Sequence, residues 1–145
     1  MKKIISLVLA IVLLTTSVSM LQSCNESAPN NPYDYTPFDL GNLMDEFTSN
    51  PTKIQKEYVG EWCSIGWYKV SAVISEEHFA LYSSSARVYI DCWVKSDDAK
   101  DKLHNLNIGD TVQVYGKVTQ IYSNASSAWD ISIEVYHIGR LGPLT

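Results

Sequence analysis

Cysteine and histidine, the side chains best suited to nucleophilic or metal chemistry, are few in this sequence and widely separated. His78, His104 and His137 lie far apart, and no His-x-His or Cys-x-x-Cys spacing that would suit zinc occurs. A Gly-x-Ser-x-Gly nucleophile motif is absent as well. The sequence therefore predicts a protein that is not an enzyme, with no catalytic residues, no metal site and no cofactor.

Cys24 is the cysteine whose surroundings indicate a specific modification. A charged start precedes an apolar run over residues 4–14, which has the length of a signal-peptide core and is too short to span a bilayer. The quartet Leu21-Gln22-Ser23-Cys24 resembles a bacterial lipobox. Lipidation of the Cys24 thiol would hold the chain on a membrane durably, because each buried CH₂ contributes about 0.8 kcal/mol and more than one acyl chain is attached.

Residues 1–23 are accordingly predicted to be a lipoprotein signal peptide, and Cys24 the site of lipid attachment. The alternative is an ordinary secretory signal that precedes an incidental cysteine. Lipid attachment predicts a location in the cell envelope, facing away from the cytoplasm. Asn25 stands where an aspartate often signals retention in the inner membrane, so the outer membrane is favoured.

Cys63 and Cys92 remain once Cys24 is assigned to the lipid. Outside the cytoplasm such a pair can form a disulfide, so a bridge between them is one hypothesis. The alternative is a pair of free thiols, since Cys92 lies on an apolar alternating face where a buried thiol is common.

The residues best suited to hold a ligand alternate along one stretch of the chain. Apolar side chains occupy every second position from 88 to 94, which predicts a strand whose opposite face carries Arg87, Tyr89, Asp91 and Trp93. Tyr82 lies near the end of the preceding predicted strand. Aromatic rings beside a guanidinium group can stack on sugars or bases, or hold a peptide. The candidate binding face is therefore Tyr82, Arg87, Tyr89 and Trp93.

The alternative for Tyr89 and Trp93 is that they pack beneath two predicted N-terminal helices. The first helix is expected to begin at Thr36 as N-cap with Pro37 at its first position, and its apolar stripe includes Phe47 and needs a partner. Asn50-Pro51 predicts the start of the second helix, and Gly60 its end.

From residue 61 onward the hydrophobic period changes to two, which predicts five strands. The first of them is expected to alternate through Val70 and Ile74. One helix, capped by Ser96 and extending to about Leu106, lies between the third and fourth strands. In a mainly β chain, this element order is that of a five-stranded OB-fold, a Greek-key barrel. Gly116, in the middle of the fourth strand, is predicted to mark the curvature of a barrel strand.

The domain boundaries follow from composition. Residues 24–36 hold the lipidated cysteine and a polar segment with two prolines in its middle, which predicts a flexible tether. Residues 37–140 are predicted to form the OB-fold domain together with its N-terminal helices.

Three segments of the chain resemble the tRNA-anti-like OB-fold domains of bacterial envelope proteins. The segments are the helical lead-in with Asn50, the run Lys56-Glu57-Tyr58-Val59-Gly60, and the run Leu106-x-x-Gly-Asp-x-Val-x-Val-x-Gly-Lys-Val that ends at Val118. Together they span roughly residues 38–138. The resemblance implies the barrel and an envelope setting, and it carries no established activity. Ala72 departs from the family, which usually has a glycine near this position.

The charge of the chain bears on its partners. The full sequence has 11 basic and 16 acidic residues, and cleavage after residue 23 would remove Lys2 and Lys3 but no acid. The remaining 9 basic and 16 acidic residues give a formal charge of −7. Nucleic-acid binding calls for a basic surface, which makes it the less favoured function. The expected function is a non-enzymatic binding or scaffolding module for an envelope protein or glycan. The alternative is a protein that binds single-stranded nucleic acid.

Overall fold

The computed structural model describes residues 27–123 and 128–140. The predicted signal peptide and the lipid-attachment residue Cys24 lie outside these ranges. A short 3-10 turn at Pro32–Asp34 opens the described chain. The strands are β1 (Thr36–Phe38), β2 (Trp62–Ser75), β3 (His78–Ser83), β4 (Val88–Val94), β5 (Thr111–Ser123) and β6 (Trp129–Arg140), and the helices are α1 (Leu40–Ser49), α2 (Pro51–Tyr58) and α3 (Asp97–Leu103). Within the described ranges, no helix combines the length and apolar character needed to cross a membrane.

The strands form one sheet that closes on itself. Their order is β1-β2-β3-β4-β6-β5, and a further pairing of β2 with β5 completes the barrel. β4 and β6 run parallel, as do β1 and β2, and the other neighbours are antiparallel. Helix α3 connects β4 to β5. Strands β2 to β6 with this helix have the topology of an OB-fold, so the predicted fold class is confirmed.

Alternating side chains from the five barrel strands fill the core. Every second residue of β4 from Val88 to Val94 is buried, which confirms the alternation predicted for that strand. The inward side chains of β5 and β6 meet them: Val112, Val114, Val118, Ile131, Ile133 and Val135 are all fully buried. Leu103 of α3 and Ile54 of α2 belong to the same apolar cluster.

Gly116 lies at a β-bulge between β5 and β6. Tyr115 pairs with His137 and Gly116 with Val135, so Tyr136 is the extra residue. A Cβ atom on Gly116 would overlap the carbonyl oxygen of Glu134 and would lie 2.8 Å from its carbonyl carbon. The glycine is therefore required because another strand's backbone approaches it closely, a more specific reason than the curvature predicted.

The first helix begins later than predicted. Thr36 does not cap a helix, because residues 36–38 form β1 and pair with residues 63–65 of β2. Asp39 is the cap of α1 instead, and its carboxylate accepts the backbone N–H of Gly41 at 3.0 Å. Tyr35, which lies within the predicted tether, is only 4% exposed and donates its hydroxyl to the carbonyl of Pro29.

The other predicted helix ends are correct within a few residues. The Asn50 side chain accepts the N–H of Lys53, with a proline following the cap. Ser96 accepts the N–H of Ala99, although α3 ends at Leu103 and not near Leu106. Gly60 adopts a φ of 96° directly after α2, a conformation that favours glycine.

The end of β2 does not continue the predicted alternation. Ile74 was expected on the same face as the buried Val70, yet it is exposed. Register shifts between Val70 and Ala72 and between Val73 and Ser75 interrupt the pairing of β2 with β3. Each bulge adds one residue and so reverses the face on which the following side chains lie.

Candidate ligand-binding face on strands β3 and β4

The outward side of β3 and β4, called here the open face, carries most of the predicted binding residues. Tyr82 pairs directly with Tyr89, and His78 pairs with Trp93. Tyr89 is 44% exposed and Trp93 is 45% exposed. The alternative that these two residues pack beneath the N-terminal helices is therefore wrong.

The N-terminal helices cover a different part of the barrel. The Phe47 ring of α1 lies 4.9 Å from that of Trp129 at the start of β6, measured between centroids. Phe38 of β1 contacts Tyr58 of α2 at 4.4 Å. These contacts satisfy the apolar stripe of α1, so the helices leave the open face uncovered.

Ring contacts hold the aromatic side chains of the open face in place. Tyr82 and Tyr89 lie 4.6 Å apart with their planes tilted by 32°. The His78 imidazole stacks on the Trp93 indole at 3.9 Å and 10°, which fixes one side of that indole. His78 was not among the predicted binding residues. Its alternation with the inward Phe79 could have revealed it, because every second residue of β3 points outward.

Arg87 lies at one end of the open face and not on a strand. It belongs to the turn between β3 and β4, where its φ of 53° is unusual for a residue other than glycine. Its carbonyl accepts the N–H of Trp129 at 3.1 Å, which ties this turn to the start of β6. The Arg87 residue is exposed, so its guanidinium group can reach a ligand at the edge of the face.

Carboxylates on and beside the open face lie close to side chains that can donate hydrogen bonds. Asp91 Oδ1 lies 3.4 Å from His78 Nε2. Glu134, which pairs with Trp93 across β4 and β6, has its carboxylate 3.6 Å from the Lys95 ammonium group. The face is thus amphipathic, with aromatic rings beside groups that accept and donate hydrogen bonds.

The outward side of the sheet continues from the open face to β5. Tyr89 pairs with Asp130 of β6, and Asp130 pairs with Tyr122 of β5. Burial raises the pKa of Tyr122, and the carboxylates of Asp130 and Asp91 raise it further. A hollow of about 520 Å³ lies beside Tyr122, between α2 and β5, with Gln55 and Val59 on its helical wall. Tyr122 therefore lies both in the row of Tyr89 and Asp130 and on the rim of this hollow.

The remaining cysteines lie inside the barrel and are both free, so the hypothesis of a bridge between them is wrong. Burial, with a smaller contribution from Glu61, raises the pKa of the Cys63 thiol to about 12. Burial also raises the pKa of Cys92 well above its ordinary value. Both thiols are therefore protonated at neutral pH, a form that is a poor nucleophile. Over the same described ranges, no group of three or more His, Cys, Asp or Glu side chains could hold a metal ion.

The fold and the open face define this protein as an OB-fold domain with an exposed aromatic surface. No protein-family model matches the chain, and no curated protein matches it. The resemblance to the tRNA-anti-like family therefore remains a prediction.

Solved structures with a similar fold include two tRNA synthetases and a single-strand-binding protein. The aspartyl-tRNA synthetase from Leishmania major Friedlin is 16% identical, with a TM-score of 0.45 over 82% of this chain and 23% of that one. The asparaginyl-tRNA synthetase from Pyrococcus horikoshii is 13% identical, with a TM-score of 0.44 over 65% and 22%. Replication protein A of U. maydis bound to single-stranded DNA is 14% identical, with a TM-score of 0.43 over 77% of each chain. The chain thus spans less than a quarter of either synthetase, and no function is transferred from these likenesses.

Proposed function

We propose that this protein is a lipid-anchored, non-enzymatic binding module of the cell envelope that holds another envelope component on its open face. The observation that carries the proposal is the exposure of Tyr89 and Trp93 on a face that α1 and α2 leave uncovered. Exposed aromatic rings in fixed positions are the residues that most often contribute binding energy at recognition surfaces. The resemblance of residues 21–24 to a lipobox supports attachment to the envelope, and Asn25 after it favours the outer membrane over the inner one.

The anchor is tested by replacing its thiol. The full chain should incorporate labelled palmitate in a bacterial host and partition into detergent, whereas Cys24→Ala should do neither. Cys63→Ala is the matched control, because that thiol is buried in the barrel and should leave the label unchanged. Equal labelling of the wild type and Cys24→Ala would refute lipid attachment at this position.

The binding role is tested with the lipid-free mature chain, residues 24–145 carrying Cys24→Ala. This chain should sediment with delipidated envelope material, and Trp93→Ala should reduce the bound fraction strongly. Trp67→Ala is the matched control, since Trp67 is 48% exposed but lies on β2. If both variants bind as the parent does, the open face is not the binding surface.

A second candidate, binding of single-stranded nucleic acid, is favoured by the same exposed rings, on which bases could stack. Arg87 would contact a phosphate at the edge of the face. This function requires an affinity that falls steeply as salt rises, because phosphate contacts release counterions. A titration with a short oligonucleotide that shows no binding at low salt excludes it.

A further inference from the structure

The outward side of the sheet carries three stacking positions that lie well apart. Tyr89 and Trp93 are four residues apart on one face of β4, which separates them by about 13 Å. Tyr122 lies two strands from Tyr89 in the same row, about 10 Å away across the sheet. A single ring cannot reach two of these positions. A ligand that uses them must therefore be extended and must contain several ring units.

Two pairs of an acceptor and a donor lie near these rings, one in the row between Tyr89 and Trp93 and one beside Trp93. Asp91 lies beside His78, and Glu134 beside Lys95, at 3.4 and 3.6 Å. A hydroxyl group both donates and accepts hydrogen bonds, so one such pair can accept its proton and donate to one of its lone pairs. Bonds of this kind to charged groups are also stronger than those between neutral groups.

Charged polymers fit this arrangement poorly. A chain of phosphates that crossed the face would meet a carboxylate in each of its three rows, from Asp130, Asp91 and Glu134. A strongly basic peptide would have to compete with Lys95 for Glu134, and it would meet Lys69 beside Tyr82. The balance of the two signs favours a ligand that has no net charge and many hydroxyl groups.

We propose that the open face binds an extended neutral oligosaccharide, an inference that rests on the proposed function of this face. The apolar faces of its sugar rings lie on Tyr89 and Trp93, and on Tyr122 where the chain is long enough. Its hydroxyl groups bond to the Asp91–His78 and Glu134–Lys95 pairs. The ligand therefore runs along β4 between Trp93 and Tyr89, and a longer chain turns at Tyr89 across β6 toward Tyr122.

The test is a calorimetric titration of the lipid-free mature chain with maltohexaose, cellohexaose and mannohexaose. An oligothymidylate and an oligolysine serve as charged probes. We expect at least one sugar to bind, with an affinity that changes little between about 50 and about 200 mM sodium chloride, because no counterions are released. Trp93→Ala should weaken this binding about tenfold or more, whereas Trp67→Ala should not change it.

The possible failures separate this inference from the function beneath it. If none of the sugars binds, or if only a charged probe binds with an affinity that is lost as salt rises, the neutral-oligosaccharide inference is wrong. The open face still stands as a binding surface when Trp93→Ala weakens the binding of that charged probe. If a sugar binds and Trp93→Ala leaves its affinity unchanged, both the inference and the role of the open face fail.

Discussion

Aromatic side chains gather in two regions of this barrel, and the two regions differ in what covers them. The N-terminal segment, residues 32–58, covers one region, where Tyr35 lies 5.5 Å from Tyr115 and Phe47 contacts Trp129. On the open face, the ring contacts described for Tyr89 and Trp93 are with Tyr82 and His78 of the neighbouring strand. Nearly half of each of these two side chains is exposed. Aromatic residues thus stabilise the fold in the first region and remain accessible to a ligand in the second.

Among the variants that distinguish the two regions, Phe47→Ala is expected to have the largest effect on stability. The Phe47 side chain is fully buried and packs on both Phe38 and Trp129. Its truncation should lower the free energy of unfolding by about 3–5 kcal/mol, since a cavity remains. Trp93→Ala should lower it by less than about 1.5 kcal/mol, the value of one aromatic pair. Urea denaturation followed by circular dichroism measures both, and equal losses would contradict the division into two regions.

A somewhat smaller loss of stability is expected from Tyr35→Ala. This ring is 4% exposed and its hydroxyl donates to the Pro29 carbonyl at 3.0 Å, so its removal should cost about 3 kcal/mol. Tyr33→Ala, two residues away and 93% exposed, should change stability by no more than about 0.5 kcal/mol. Thermal or urea unfolding of the two variants should therefore differ clearly. Similar curves would show that the N-terminal segment is not docked on the barrel.

Asp39→Ala tests the beginning of α1 and should have a smaller effect. The Asp39 carboxylate accepts the N–H groups of Gly41 and Asn42, so its loss should cost about 1 kcal/mol. Asp45→Ala, in the exposed middle of the same helix, is the control and should cause no loss. If neither variant is destabilised in urea, the cap inferred for this helix is incorrect.

The smallest signal is expected from the reaction of the folded chain with a reagent that labels thiols. The lipid-free mature chain retains Cys63 and Cys92, both buried, and the raised pKa of each keeps it protonated at pH 8. A chromogenic disulfide reagent should label neither thiol in the native protein. In urea, with no reductant added, it should label both. Failure to label the unfolded chain would indicate a bridge between them.

The sequence was most informative where a local pattern decides the structure. The alternation of β4 predicted which side chains lie inside, and the caps at Asn50 and Ser96 were found from their own residue types. Gly116 was recognised as a special position in a barrel strand. Its neighbour in space, the Glu134 carbonyl, lies on another strand, so the specific reason required the structure.

The errors arose where distant parts of the chain decide the structure. Thr36 and Asp39 are both suitable helix caps, and the choice between them depends on the pairing of β1 with β2. Likewise, the sequence shows that α1 needs an apolar partner but not that Trp129 provides it. Tyr89 and Trp93 are exposed because α1 packs on Trp129 and not on them. The candidate face could therefore be predicted from residue types, but its openness could not.

Oxidative footprinting of the bound protein tests the central claim most directly. The lipid-free mature chain would be exposed to hydroxyl radicals with and without delipidated envelope material, and oxidation would be measured at four exposed aromatic residues by mass spectrometry. The four residues are Tyr89 and Trp93 on the open face, and Tyr33 and Trp67 elsewhere. We expect binding to protect Tyr89 and Trp93 and to leave Tyr33 and Trp67 oxidised as before. Protection of Tyr33 and Trp67 alone would contradict the assignment of the open face as the binding surface.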